Sequence, residues 1–154
     1  VTRLLLLCLE FLAISVPLTW VWLEWVRSAY VPLVFASAAP LRELLDIAHA
    51  GRGPAVPRFL GYIPFLALML ITPLLSRQRR LLGTLIGMAL IFVSHVGLAL
   101  VVDYAYATNP RNSRAVAAMF PALLAVDALP FLIWAVIASD FVRSLFSRRS
   151  DPAP

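Results

Sequence analysis

The sequence predicts an all-α membrane protein, a four-transmembrane-helix bundle with a short amphipathic helix in the first extracytoplasmic loop. Three observations carry that prediction. Of the 154 residues, 62% are hydrophobic and 14% charged, with a mean hydropathy of +0.89, against about 25% charged in soluble domains. Too little polar surface remains to clothe a globule in water. Apolar runs of about 20 residues recur, the length that crosses a hydrocarbon core of about 30 Å. All 13 basic side chains are arginines, and they gather at the ends of those runs, as membrane-orientation signals do. The isoelectric point near 10.3 therefore reports orientation, and no RNA- or DNA-binding motif accompanies it. A nucleic-acid partner is not expected.

The first span covers residues 4–26. It must be helical, because lipid offers no partners to backbone N–H and C=O groups. Trp20, Trp22, Trp25 and Tyr30 form an interfacial aromatic belt at its outer end. The run is too long for a secretion signal, so "ASAA" at Ala36–Ala39 is not expected to be a cleavage site and the span is retained. The outer loop that follows, residues 27–58, holds a short amphipathic helix over 40–50. Pro40 suits its first turn, and Gly51 or Gly53 would stop it. Leu41, Leu44, Leu45 and Ala48 make its apolar face, and Arg42, Glu43, Asp46 and His49 its polar one. Such a helix lies in the outer interface or caps the bundle.

Spans two, three and four cover residues 59–75, 81–102 and 116–138, completing a single transmembrane domain over 1–142. Arg3 precedes span one, Arg77, Arg79 and Arg80 fill the turn after span two, and Arg143, Arg148 and Arg149 follow span four. An even number of spans puts these clusters on one side, the cytoplasmic one, with both termini. Arg77, Arg79 and Arg80 can also hold anionic lipid head groups. The basic tail, 143–154, is expected to be disordered. On span three, Gly83, Gly87, Ser94 and Gly97 form a stripe of small residues containing the small-xxx-small motif "GTLIG", which predicts close contact with another helix.

Ionisable groups inside spans are costly and tend to face protein or water, so each is a candidate site. There are three: Glu10, His95 and Asp127. Glu10, Pro17 and Glu24 are spaced by seven and share one face of span one. Asp127 stands three residues before Pro130, whose missing N–H frees the carbonyl of Val126. His95 lies about 100° round the helix from the small-residue stripe, where it serves either as a hydrogen-bonded seam residue or as a site. Cys8 is the one cysteine, which excludes an intrachain disulfide and a multi-cysteine metal site. At helical rise it lies about 15 Å in height from His95, too far for a nucleophile–base pair. No metal or cofactor is expected. On the outer side, Arg42, Asp46, His49, Asp103, Tyr106 and Arg111 are expected to face a partner or substrate.

Across spans two and three, "YIPFLALMLITPLLSRQRRLLGTLIGMALIFVSHV" resembles the small integral membrane proteins associated with exosortases, of the exosortase H-associated type. Thr72-Pro73, Arg77, Arg79, Arg80, Gly83 and Gly87 carry the resemblance. It implies a bacterial inner-membrane accessory to a sortase-like transpeptidase that processes proteins with C-terminal sorting signals. Exosortases use a cysteine, an arginine and a histidine at the outer face; with no cysteine there, this chain resembles a helper rather than the peptidase. The expected function is a non-enzymatic accessory or assembly subunit, whose partners are membrane lipids and another integral membrane protein. The alternative is a small intramembrane enzyme or proton-coupled carrier using Glu10, His95 and Asp127.

Overall fold

The computed structural model describes residues 2–48, 59–73, 75–109 and 112–147. It is 90% helix without a strand among the described residues. The helices are α1 (Thr2–Val21), α2 (Arg27–Leu44), α3 (Tyr62–Ile71), α4 (Arg77–Thr108), α5 (Asn112–Ile137) and α6 (Ser139–Ser147), with a π-helical segment (Trp22–Val26) joining α1 to α2. Three stretches are long and apolar enough to cross a membrane: Leu5–Leu44, Arg77–Thr108 and Arg114–Ile137. The chain is thus a multi-pass helical membrane protein.

The first departure from expectation is at residues 27–44, which continue the first helix through the π segment in place of a loop. Residues 40–44 of the expected short helix belong to that continuous helix, and 49–58 of the expected loop lie outside the described residues. Arg27 and Ser28 are polar, but nothing between them and Leu44 stops a helix. Pro32 and Pro40 each delete one N–H without ending the coil. The stop comes before Gly51, at Asp46, whose φ of 51° lies in the left-handed region. Ile47 N–H bonds to Arg42 O (3.0 Å) and Asp46 N–H to Glu43 O (3.3 Å), the Schellman pattern with aspartate in glycine's usual place. The 40 residues of Leu5–Leu44 rise about 60 Å, twice the hydrocarbon thickness.

The second departure is at the chain's other end. Residues 139–147 form α6, so 143–147, expected to begin the tail, are helical. Phe141, Val142, Leu145 and Phe146 recur at helical spacing against Asp140, Arg143 and Ser144, and buried Phe141 lies edge-on to Trp134 at 6.4 Å. Residues 148–154 of the expected tail lie outside the described residues.

The core centres on α3. Its 10 residues rise about 15 Å, half of a hydrocarbon core. Tyr62, Ile63, Phe65, Ala67 and Met69 are all buried, enclosed by α1, α4 and α5. One four-residue row of α4, Gly83, Gly87, Ile91, His95, Ala99 and Asp103, is buried throughout, meeting Phe65 and Met69 of α3 and Ile137 of α5 at its glycines and Arg42 of α2 at Asp103. Rows of that spacing are the ridges that interdigitate between packed helices. A methyl group on Gly87 would collide with the Phe65 ring, and one on Gly83 would sit 2.8 Å from Ile137.

The small-residue stripe is therefore half right. Gly83 and Gly87 pack closely, but a Cβ on Gly97 would meet nothing within 4 Å, and the Ser94 hydroxyl bonds back to Ile91 O at 2.7 Å. The buried row advances four residues at a time, so it turns away from Gly97 and takes in His95. Gly87→Ala is expected to destabilise the protein by about 1–3 kcal/mol, the usual range for overpacking. Gly97→Ala leaves stability unchanged or raised. Unfolding midpoints in mixed detergent micelles check both, and equal losses would refute the placement of the row.

Candidate functional site

The strongest polar constellation lies at the N-terminal end of α3. The π segment widens the first helix by one residue just before α2, and Tyr30, one turn later, points into the bundle. Its hydroxyl lies 2.7 Å from His95 Nδ1 and 3.1 Å from the Tyr62 hydroxyl, and the Tyr62 hydroxyl lies 3.2 Å from Met88 O. Three contacts are served by three protons, one from each ring. The last acceptor is a carbonyl with no proton to give, so the direction is fixed. Tyr62 donates to Met88 O, Tyr30 donates to Tyr62, and His95 donates Nδ1–H to Tyr30. The imidazole is held in its Nδ1–H form, and Nε2 keeps a bare lone pair.

Aromatic rings seal the chain. Phe59 lies over the imidazole at 4.9 Å and Trp22 beside Tyr30 at 5.1 Å. His95 is 0% exposed, and its Nε2 has no hydrogen-bond partner. Nε2 faces Gly61, where an added Cβ would lie 3.5 Å from it and 3.1 Å from Pro130. The packing of α3 against α5 thus closes off that nitrogen. A pocket of ≈ 290 Å³ opens on the tyrosine side, between Leu18, Trp22, Tyr30, Tyr62, Leu66 and Met88.

Two further polar nodes flank this one. Above it, Arg42 on α2 meets Asp103 on α4 at 3.1 Å, with Asp103 fully buried, and also donates to Phe35 O at 3.3 Å. At the C-terminal end of α3, Trp134 Nε1 donates to Thr72 Oγ1 (2.7 Å), which donates to Leu68 O (2.6 Å), while Arg80 donates to Thr72 O (2.9 Å).

The sequence candidates fall out as follows. His95 is central, but Glu10 on α1 and Asp127 on α5 are both exposed, so the three do not share a site. Asp103 faces inward to Arg42 instead of outward to a partner, because the continuous first helix carries Arg42 alongside α4. Asp46 is exposed in the α2 stop, and Tyr106 packs against the core. His49 and Arg111 lie outside the described residues. Arg77 is exposed, Arg79 pairs with Asp140 at 2.9 Å, and Arg80 is drawn inward. Cys8 is exposed on α1, beside Thr72 in the fold rather than beside His95. No three His, Cys, Asp or Glu side chains converge among the described residues.

Sequence reasoning missed Tyr62 and Trp134 and assigned Trp22 and Tyr30 to a surface belt, whereas Trp22 is buried. Only Trp20 and Trp25 of that group stand exposed, edge to face at 5.3 Å. The available signal was that a phenol or indole in an apolar run needs a partner for its O–H or N–H. No family model matches the chain, and no curated protein and no solved structure matches it.

Two outcomes follow from these nodes. In histidine-labelled protein carrying His49→Gln, nitrogen NMR should show His95 protonated at Nδ1 and bare at Nε2; protonation at Nε2 would reverse the chain and sink the assignment. Arg42→Met takes one partner from a buried carboxylate, at a stability loss of up to about 3–5 kcal/mol. Arg42→Met with Asp103→Leu should recover most of that loss in the same unfolding assay.

Proposed function

We propose that the chain is a non-enzymatic polytopic subunit or accessory of a larger envelope assembly, docking through its first helix onto another integral membrane protein. One observation carries this. Of the most apolar window of Leu5–Leu44, only 6% is buried, and the Glu10, Pro17 and Glu24 face of that helix is exposed throughout. An acidic side chain left against lipid near a helix centre costs about 2.5–3.5 kcal/mol on insertion scales. A neighbouring transmembrane helix that offers a basic or hydrogen-bonding group at the height of Glu10 removes that cost.

Within the proposal, α3 with its flanking residues makes a fourth crossing, and both termini and the Arg77–Arg80 turn lie in the cytoplasm of a bacterial inner membrane. Support comes from the arginine clusters. The resemblance of "YIPFLALMLITPLLSRQRRLLGTLIG" to exosortase-associated proteins makes a sortase-like transpeptidase the partner class proposed. An intramembrane enzyme or carrier built on Glu10, His95 and Asp127 is disfavoured, because two of those groups face outward and the third is sealed.

The test is the mass of the tagged protein extracted from its native membranes in mild detergent. The wild type is expected in a complex larger than the monomer, and Glu10→Leu should release it as an intact monomer while Glu10→Gln keeps partial assembly. A wild-type monomer, with function retained when Glu10 is removed, would overturn the docking role.

A further inference from the structure

A cleft of ≈ 310 Å³ lies between the first turns of α4 and the junction of α5 with α6. Arg79 meets Asp140 at 2.9 Å, and one turn further along α4 Gly83 packs on Ile137. Helix α4 thus leaves the charged end of the cleft as α5 approaches it. The lining grades accordingly, from Arg79, Ser139 and Asp140 at one end to Leu82, Ile86 and Val136 at the other.

The charged end has capacity to spare. Arg79 and Asp140 are 66% and 73% exposed and share a single Nη1···Oδ2 contact, a surface pair of small worth. Among the described residues no second side-chain bond engages the guanidinium or the carboxylate, and none engages the Ser139 hydroxyl. Arg79 stands in the first turn of a helix long and apolar enough to cross a membrane, so this end lies at head-group depth.

The gradient selects the occupant. From Arg79 to Ile86 α4 rises about 10 Å, a third of a hydrocarbon core of about 30 Å. That is too short a seat for a crossing helix and suits a lipid head group with its glycerol. The acyl chains would then run along Leu82, Ile86 and Val136, all exposed. Guanidinium matches phosphate oxygens. The carboxylate beside it repels a purely anionic head group and favours one that also brings a cation with N–H donors. Phosphatidylethanolamine carries both groups; phosphatidylcholine has a cation without N–H, and phosphatidylglycerol has no cation.

We propose that this cleft binds one phosphatidylethanolamine, its phosphate on Arg79 and its ammonium on Asp140 and the Ser139 hydroxyl. The site uses no residue of the Glu10 face, so it stands whether or not the accessory role holds.

Full-length protein, delipidated in detergent, is titrated with each of the three lipids and read by native mass spectrometry. One phosphatidylethanolamine per chain should be retained, at a dissociation constant roughly tenfold below those of the other two, the worth of one hydrogen bond between charged groups. Arg79→Gln should weaken every lipid about fivefold, the worth of one basic residue near a head group. Asp140→Asn should erase most of the preference for phosphatidylethanolamine over phosphatidylglycerol. Both side chains are exposed, so neither variant threatens the fold. Soluble glycerophosphoethanolamine, lacking acyl chains, should compete only weakly. Equal retention of the three lipids, strongest retention of phosphatidylglycerol, retention of none, or competition by the soluble head group as strong as by lipid would each overturn the site. So would a diazirine side chain at Val136 that captures a polypeptide in place of lipid in native membranes.

Discussion

A helix of 10 residues cannot satisfy lipid on its own terms, and the rest of the structure answers to that constraint. Residues 59–61 and 72–73, on either side of α3, lie outside any helix yet include Phe59 and Thr72, both buried in the bundle. Irregular backbone inside a bundle is tolerated only where protein supplies its hydrogen-bond partners. The two ends of α3 are where the polar nodes occur. At its C-terminal end, Arg80 takes the Thr72 carbonyl and Trp134 the Thr72 hydroxyl. At its N-terminal end, Tyr62 anchors to Met88 O and, through Tyr30, to His95. Each node draws on a different pair of neighbouring elements. Together they fix both the height and the rotation of the central helix.

Between the nodes the fastening is steric. Phe65 lies on Gly87 and Met69 near Gly83, so α3 and α4 approach closely where polar groups are absent. Without a hydrophobic driving force in lipid, close contact of this kind is the main source of helix association. One row on α4 changes chemistry along its length, glycine at the N-terminal end, then Ile91, then His95, then Asp103. Packing and hydrogen bonding are successive uses of the same ridge.

Much of this was legible in residues, and the failures have physical causes. Gly83 and Gly87 announced a close helix contact, and His95 announced a polar point inside it. Ser94 and Gly97 were grouped with them because small size was read without the direction in which the packed row turns. The first helix was cut at Arg27 because two polar residues resemble an interface, though helices end at stop conformations, and the stop belongs to Asp46. Aspartate with positive φ leaves no mark as plain as glycine. Tyr30 and Trp22 resemble belt residues at the end of a span of ordinary length; in a helix twice the bilayer thickness, Trp22 lies against Tyr62 of α3 and Tyr30 against Phe92 and His95 of α4. The partnership of Tyr30, Tyr62 and His95 spans 65 residues of sequence, and no local pattern connects them.

The distribution of fastenings along the first helix bears on what the chain can do. Tyr30 and Arg42 tie α2 to α4 at two points separated by about 18 Å of helical rise, one through a phenol and the other through a buried ion pair. No comparable polar tie holds α1 among the described residues: Thr19 bonds only within its own helix, and the contact of α1 with α3 is made across an apolar groove. One rod is thus clamped in its C-terminal half and seated on an apolar surface in its N-terminal half. Apolar contact in lipid is exchanged for lipid or for another helix at little net change in free energy, whereas the polar ties of α2 are lost at the cost of exposing buried polar groups. Along this rod, exchange of neighbours is therefore easiest over α1, and the exposed carboxyl of Glu10 lies on that half.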